Sequence, residues 1–321
     1  MSRPTVCLIT PALKAANNGN WQTAQRWARM WSPNYQVKLM LHWDGGAADA
    51  MVALHARRSA ADVQSWHDRH PHRPLVVVLT GTDLYRDIQD DAAAQRSLAL
   101  ATRLVVLNEQ GPLDLPDQYR AKCVVCLQST PARAHLPKTD QHLRALMVGH
   151  LRDEKLPGTY FEAARLLAGR PDIRLDHIGA PLDAALGAQA QALQGELPSY
   201  RWLGALAHGL TRQRIQRAHV LVHPSRMEGG AHVVIEAITS GTPVLASRIA
   251  GNVGLLGHDY GGYFELGDSA GLATLLQRCR DDPAMLPGLW SQCAARAPLF
   301  LPAREQATLQ HLMSELLEPH A

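Results

Sequence analysis

The chain has 321 residues, 46% hydrophobic and 19% charged, with a formal net charge of +3. This composition excludes a disordered or fibrous chain and leaves room for two domains of about 150 residues each. The small charge, with no basic tract interleaved with aromatics, excludes a nucleic-acid partner as the expectation. MSRPTVCLITPAL (1–13) reads as a strand with polar neighbours rather than a signal peptide. No apolar run reaches the roughly 18 residues of a membrane span, so a cytoplasmic enzyme without a membrane partner is expected.

In chain order, the first half alternates short apolar runs with helix-like amphipathic stretches: VCLIT (6–10), WQTAQRWARMW (21–31), VKLMLHW (37–43), MVALHARRSA (51–60), LVVVLTG (75–81) and LVVLN (104–108). Such alternation predicts a parallel sheet covered by helices. The second half repeats it with LRALMVG (143–149), TYFEAARLLAG, IRLDHIG (173–179), TRQRIQRA, VLVHPS (220–225), a helix from Val233 and PVLAS (243–247). An α/β protein of two doubly wound, Rossmann-like domains follows. QSTPARAHLPKTDQH (128–142), with two prolines and little apolar content, is the linker candidate, giving domains at 1–137 and 138–301. PAREQATLQHLMSELLE (302–318) is amphipathic and suits a helix.

Five cysteines, an odd number, form no closed disulfide framework. Cys123 and Cys126 make a CxxC, but Val124, Val125 and Leu127 around them suit a buried strand, and no second pair stands near to complete a zinc site. His67, His70 and His72 in WHDRHPHRP suggest a polar loop, with no carboxylate or cysteine fixed beside them by spacing.

The most telling segment is PSRMEGGAHVVIEAITSGTPVLAS, where Glu228 and Glu236 stand eight positions apart and Gly229 and Gly230 follow the first directly. A strand, then glycines at the amino end of a helix, makes an anion cradle. Backbone N–H groups and the helix dipole favour a diphosphate there, and glycine lets the backbone approach it closely. Glu228 in the loop can accept hydrogen bonds from sugar hydroxyls, and Glu236 on the helix faces what lies beside the phosphates. The expected ligand is a sugar nucleotide.

This segment resembles the E-x7-E region of glycosyltransferase family 4, the retaining nucleotide-sugar transferases of GT-B fold, with the active site in the cleft between two domains. The resemblance implies that Glu228 meets the donor sugar, that the amides of Gly229, Gly230 and Ala231 meet sugar and diphosphate, and that Glu236 holds the ribose. It also implies a terminal helix (302–319) packed back on the first domain. MVGHLRDEKLPGTYFEAARLL is similar to the family's strand, basic loop and helix, where an arginine and a lysine grip the diphosphate. Lys155 falls on the lysine position, whereas His150 occupies the arginine position, and Arg152 two residues later is the side chain expected to do the arginine's work. A solvated charge run at a helix start is the alternative reading of RDEK.

Two loops of the first half complete the candidate site. In TPALKAANNGNWQTAQRW, the amide-rich loop of Asn17, Asn18, Gly19 and Asn20, with Lys14 before it and Thr23 and Arg26 after it, can hold a phosphate-bearing acceptor or serve as an Asn cap on a helix. In LTGTDLYRD, Thr80 stands where family members often carry a histidine, and Gly81, Thr82, Asp83 and Arg86 form a polar cluster at a strand's carboxyl end. No histidine and carboxylate dyad is evident. A hydroxyl acceptor must lose a proton, whereas an anionic acceptor needs no general base.

Across nearly the whole chain these motifs are similar to the selenosugar synthases of selenoneine biosynthesis, a short branch of the family. That resemblance implies transfer of a sugar, expected to be N-acetylglucosamine, from UDP to selenophosphate with formation of a carbon–selenium bond. Lys155, Arg152 and Glu228 would then be catalytic. His150, Gly229, Gly230, Ala231 and Glu236 would bind the donor, and Lys14, Asn18, Gly19, Asn20, Thr82 and Arg86 the acceptor. No metal or cofactor beyond the UDP-sugar substrate is expected. A family 4 transferase with a hydroxyl acceptor and a non-catalytic sugar-nucleotide binder are the competing readings.

Overall fold

The computed structural model describes residues 3–12 and 19–317. Contacts divide the chain into two units, Met1–Ser129 with Glu228–Gly230 and Pro302–Ala321, and Thr130–Met227 with Ala231–Leu301.

In the first unit six parallel strands, β1 (Thr5–Ile9), β2 (Gln36–Met40), β3 (Ala50–Leu54), β4 (Leu75–Leu79), β5 (Arg103–Val106) and β6 (Cys123–Val125), lie in the order β2-β1-β3-β4-β5-β6. Every residue of β3 and β4 is buried. AMVAL and LVVVL are therefore unbroken apolar runs, because both faces of the sheet are covered. Register pairs Leu54 with Val78 and Val78 with Val105, which sorts alternate residues onto opposite faces. Met51, Ala53, Val77 and Leu79 pack under Trp66, and Val52, Leu54, Val76 and Val78 pack with Trp27, Trp31, Leu309 and Leu312.

The second of those faces is closed by the helices Gly19–Trp31 and Pro302–Leu317. Glu305 joins them: its buried carboxylate accepts from Arg26 Nε (2.9 Å), Trp27 Nε1 (2.7 Å) and Ser129 N (2.9 Å). A buried carboxylate is tolerable only with that degree of pairing. MVALHARRSA divides, its first four residues completing β3 and its last opening the helix Ala60–Arg69. That same helix takes in Trp66 and His67, so WHDRHPHRP is a loop only from His70 onward: Trp66 is fully buried and holds the preceding turn in register with the core.

The second unit repeats the plan with β7 (Leu143–Val148), β8 (Ile173–Ile178), β9 (Tyr200–Trp202), β10 (Val220–His223), β11 (Val244–Ser247) and β12 (Tyr263–Phe264) in the order β12-β11-β10-β7-β8-β9, again all parallel. From β7 the chain winds outward through β8 to β9, then crosses to β10 and winds the other way. The order reverses between β7 and β10, and ligands of open α/β sheets bind outside the carboxyl ends of the strands at such a point. Gly149–Lys155 and Pro224–Ala231 are the loops that leave those two ends.

Candidate functional site

Neutral contacts set the course of the loop after β7. Gly149 N donates to Ile178 O (2.9 Å), and the backbones run so close that a Cβ on Gly179 would lie 1.9 Å from Gly149 O. Buried His177 sits with Nε2 3.2 Å from the same carbonyl and Nδ1 3.1 Å from Tyr200 Oη. Burial lowers its pKa to about 4, so it braces the loop as an uncharged ring.

His150 accepts from Ala180 N at Nδ1 (3.0 Å). Burial, then Arg152 and Lys155, push its pKa below the usual histidine value. With Nδ1 accepting, the proton of the neutral ring sits on Nε2, and the other basic side chains of the loop are Arg152 and Lys155. The Lys155 stem lies over Gly149, its carbons 3.4 Å from where a Cβ on that glycine would stand. Arg152 is exposed, with Nε 3.9 Å from Glu154 Oε2. Leu156 then adopts a left-handed φ of 46°, and Pro157 starts the helix Pro157–Leu166.

Arg226 fastens the two switch-point loops together. Its N–H donates to Glu154 O (3.0 Å) and its guanidinium pairs with Asp153 Oδ2 (3.0 Å). Behind it, Ser247 Oγ donates to the carbonyl of buried Ser225 (2.5 Å). Ala231 precedes the helix His232–Ile238, its carbonyl accepting from Val234 N (2.8 Å).

Glu236 lies on that helix, buried, and three basic side chains converge on its Oε1: His208 Nε2 at 2.5 Å, His232 Nδ1 at 3.3 Å and Arg212 Nε at 3.9 Å. Burial pushes this carboxyl up, but the hydrogen bonds from His208 and His232 more than offset it and hold it at about 2. The hydrogen bond to Glu236 raises His208 in return. Every one of those contacts uses Oε1. Sequence reasoning missed His208, Arg212 and the role of His232; only the i,i+4 spacing of His232 and Glu236 was readable.

Glu228, Gly229 and Gly230 group by contacts with the first unit. Asn108 Nδ2 donates to Gly229 O (2.7 Å) and to Tyr85 Oη (2.9 Å). Gly229 runs against the turn after β4, where a Cβ on it would stand 2.5 Å from the Thr80 carbonyl carbon, and a Cβ on Gly81, whose φ is +134°, would stand 2.9 Å from Gly229 N. Neither position has room for a side chain.

The turn after β4 is organised by Asp83, fully buried. Its Oδ1 accepts from Thr80 N (2.8 Å) and Gly81 N (3.0 Å), and its Oδ2 from Ala56 N (2.9 Å). Thr82 is half-buried and its Oγ1 lies 3.1 Å from His55 Nε2. Arg86 is exposed, with Nε on Asp87 Oδ1 (3.0 Å). His55 stands 3.8 Å from Asp83 and 3.9 Å from Asp87, beyond hydrogen-bond distance, a proximity built from segments about 30 positions apart that no local motif displays.

Gly19 and Asn20 open the first helix at its exposed end, whereas Lys14, Asn17 and Asn18 lie outside the described residues. Two expected helpers of this loop are otherwise engaged. Arg26 is committed to Glu305, and Thr23 is buried, donating to Gly19 O (2.9 Å) and accepting from Gln128 Nε2 (2.6 Å). Cys123 and Cys126 lie in and just after β6, and all five cysteines are free thiols.

Comparison with known proteins bears on both units. Residues 128–285 match the family model of glycosyl transferases group 1. The D-inositol 3-phosphate glycosyltransferase of Streptomyces avermitilis is 30% identical over 181 residues, covering 53% of this chain and 39% of that protein. Glycogen synthase of Mycobacterium tuberculosis is 32% identical over 162 residues, covering 48% of this chain and 37% of that protein. The matches thus span about two fifths of these relatives' length.

Among solved structures, HepE of Anabaena in complex with UDP and glucose superposes with a TM-score of 0.79 at 16% identity, covering 98% of this chain and 100% of that one. Sucrose-phosphate synthase of Thermosynechococcus elongatus gives 0.77 at 17% identity, covering 98% and 99%. No described helix is long and apolar enough to cross a membrane. Two doubly wound parallel-sheet units make this a GT-B fold, and the match to the glycosyl transferases group 1 model lies within its residues 128–285.

Proposed function

We propose that the protein transfers a sugar from a UDP donor to an anionic acceptor, selenophosphate, with N-acetylglucosamine as the sugar. The observation that carries the donor half is the pinning of the Arg152–Lys155 loop, which presents two basic side chains, to the Pro224–Ala231 loop by Arg226 at the second unit's switch point. Support comes from HepE, whose complexes contain UDP and UDP-glucose, and from the inositol-phosphate relatives, whose named substrate bears a phosphate.

In this reading Glu236 takes the ribose through Oε2, since its three basic neighbours all address Oε1. Lys155 and Arg152 neutralise the charge that accumulates on departing UDP, the requirement that dominates cleavage of a sugar–phosphate bond. Glu228 and the amides of Gly229, Gly230 and Ala231 address the sugar. Lys14, Asn18, Gly19, Asn20, Thr82 and Arg86 receive the acceptor. Selenium attacks the anomeric carbon, the carbon–oxygen bond to the diphosphate breaks, and UDP leaves with the electron pair. No proton need be removed from the nucleophile, so no general base is required.

The test is mass spectrometry of products from purified protein with UDP-N-acetylglucosamine, with and without selenophosphate. A selenium-containing sugar and UDP, both only when selenophosphate is present, are expected. Transfer of the sugar to a hydroxyl acceptor, with release of UDP, would instead replace the acceptor assignment. Absence of any UDP binding in calorimetry would remove the donor assignment as well.

A further inference from the structure

The strand order of the first unit reverses between β1 and β3, so the carboxyl end of β3 flanks that unit's own switch point. His55 is the residue that follows β3. It is 2% exposed and holds a left-handed φ of 74°, a conformation strained for any residue with a Cβ. Strain persists only where the surroundings over-determine it, and it gathers at functional sites.

The ring's contacts fix its proton. Arg58 N–H points at Nδ1 (3.4 Å), and an amide can only donate, so Nδ1 accepts. The proton of the neutral ring then sits on Nε2, which faces Thr82 Oγ1 at 3.1 Å. Neither nearby carboxylate takes that proton: Asp83 and Asp87 stand 3.8 and 3.9 Å from the ring nitrogens, too far for a hydrogen bond. Both are committed elsewhere, Asp83 to the amides of Ala56, Thr80 and Gly81, and Asp87 to Arg57 and Arg86. Burial lowers the His55 pKa, with Arg58 and Arg57 acting in the same direction and Asp83 and Asp87 against it, so the ring stays neutral.

We infer that His55 is a positioning residue that makes the Thr82 hydroxyl an obligate hydrogen-bond donor toward an anionic acceptor group. With Nε2–H donating to Oγ1, the hydroxyl's own proton turns away from the ring. The Thr82 hydroxyl makes no other hydrogen bond among the described residues, and the residue is half-buried, open to a ligand. The unprotonated oxygens of a phosphate-type anion only accept, so a donor-only hydroxyl suits them. The inference rests on the anionic-acceptor reading above, and its test separates the two.

Inorganic phosphate is the probe, titrated by calorimetry into the full-length protein, with long-range proton–nitrogen NMR of His55 read alongside. The wild type is expected to show the Nε2–H tautomer and to bind phosphate. Thr82→Val, nearly isosteric, is expected to weaken phosphate binding about 10- to 100-fold, the value of a hydrogen bond to a charged group. His55→Asn, which tolerates the left-handed backbone but falls short of Thr82, is expected to weaken it similarly. Thr82→Ser and His55→Gln, which restore the hydroxyl and the donor, should return binding to within about threefold of wild type. The UDP-sugar KM should stay unchanged throughout, which a merely structural role would not produce. An Nδ1–H tautomer, unaltered phosphate binding by Thr82→Val, or no phosphate binding by the wild type each overturns the inference. Phosphate binding that follows the expected series in a protein inert toward selenophosphate supports it while overturning the acceptor named above.

Discussion

Asp83 in the first unit and Glu236 in the second are both buried carboxylates, and the chain solvates them by opposite means. Asp83 is surrounded by main-chain amides of Thr80, Gly81 and Ala56, groups that never titrate. Glu236 is surrounded by His208, His232 and Arg212, basic side chains that all address one oxygen. Amides use both oxygens of Asp83 to fix a loop, whereas the basic side chains take only Oε1 of Glu236. The first pattern is that of a structural carboxylate, and the second is the one expected of a binding carboxylate on the function proposed above.

Asp83→Ala tests the structural half most severely. It orphans two buried amides and one part-buried amide, and a loss of about 3–5 kcal/mol in urea unfolding is expected; an unchanged midpoint would break the distinction. Lys155→Ala tests the functional half from the other side. Here kcat/KM should fall by about 3 kcal/mol while unfolding shifts by less than about 0.5 kcal/mol, and near-normal turnover would take Lys155 out of the mechanism. Gly229→Ala lies between the two, because its Cβ would meet the Thr80 carbonyl carbon at 2.5 Å; about 1–3 kcal/mol of destabilisation is expected by thermal melting.

The smallest effect is the sharpest discriminator. The raised His208 pKa means that its stabilising contribution is complete below the unfolded value of 6.5 and is lost as pH rises through the folded value. Glu236, held at about 2, contributes above its unfolded value of 4.5 and loses that contribution as pH falls toward 2. His208→Ala should therefore flatten the stability profile above neutral pH and, by removing one of the hydrogen bonds that hold Glu236 low, also shrink the loss seen as pH falls toward 2. A profile unchanged above neutrality in that variant would mean His208 does not engage Glu236 in solution.

What the sequence revealed, and what it hid, follows the same divide between local and distant causes. LVVVL and VLVH were readable as strands because burial on both faces writes an uninterrupted apolar run. The strand, glycines and helix around Glu228 and Glu236 were readable because one short segment carries them all. His55 was not readable: its partners arrive from the turn after another strand, 27 positions on, and pairing across a sheet leaves no periodic trace. The available cue was a histidine directly after a buried strand. Arg26 misled in the reverse sense, since a basic residue beside an asparagine-rich loop suggested a ligand contact, whereas its partner Glu305 stands 279 positions away. His208 was hidden likewise, 28 positions from the glutamate it addresses.

The helix Pro302–Leu317 has a consequence for how the protein is made. It belongs to the first unit, where Leu309, Leu312 and Met313 cover Trp27 and Trp31 and Glu305 satisfies both Arg26 and the Trp27 indole. On the ribosome the whole second unit must be synthesised before this piece appears. The first unit's preceding segments therefore wait with two tryptophans uncovered, and the need for chaperone protection during translation falls on them.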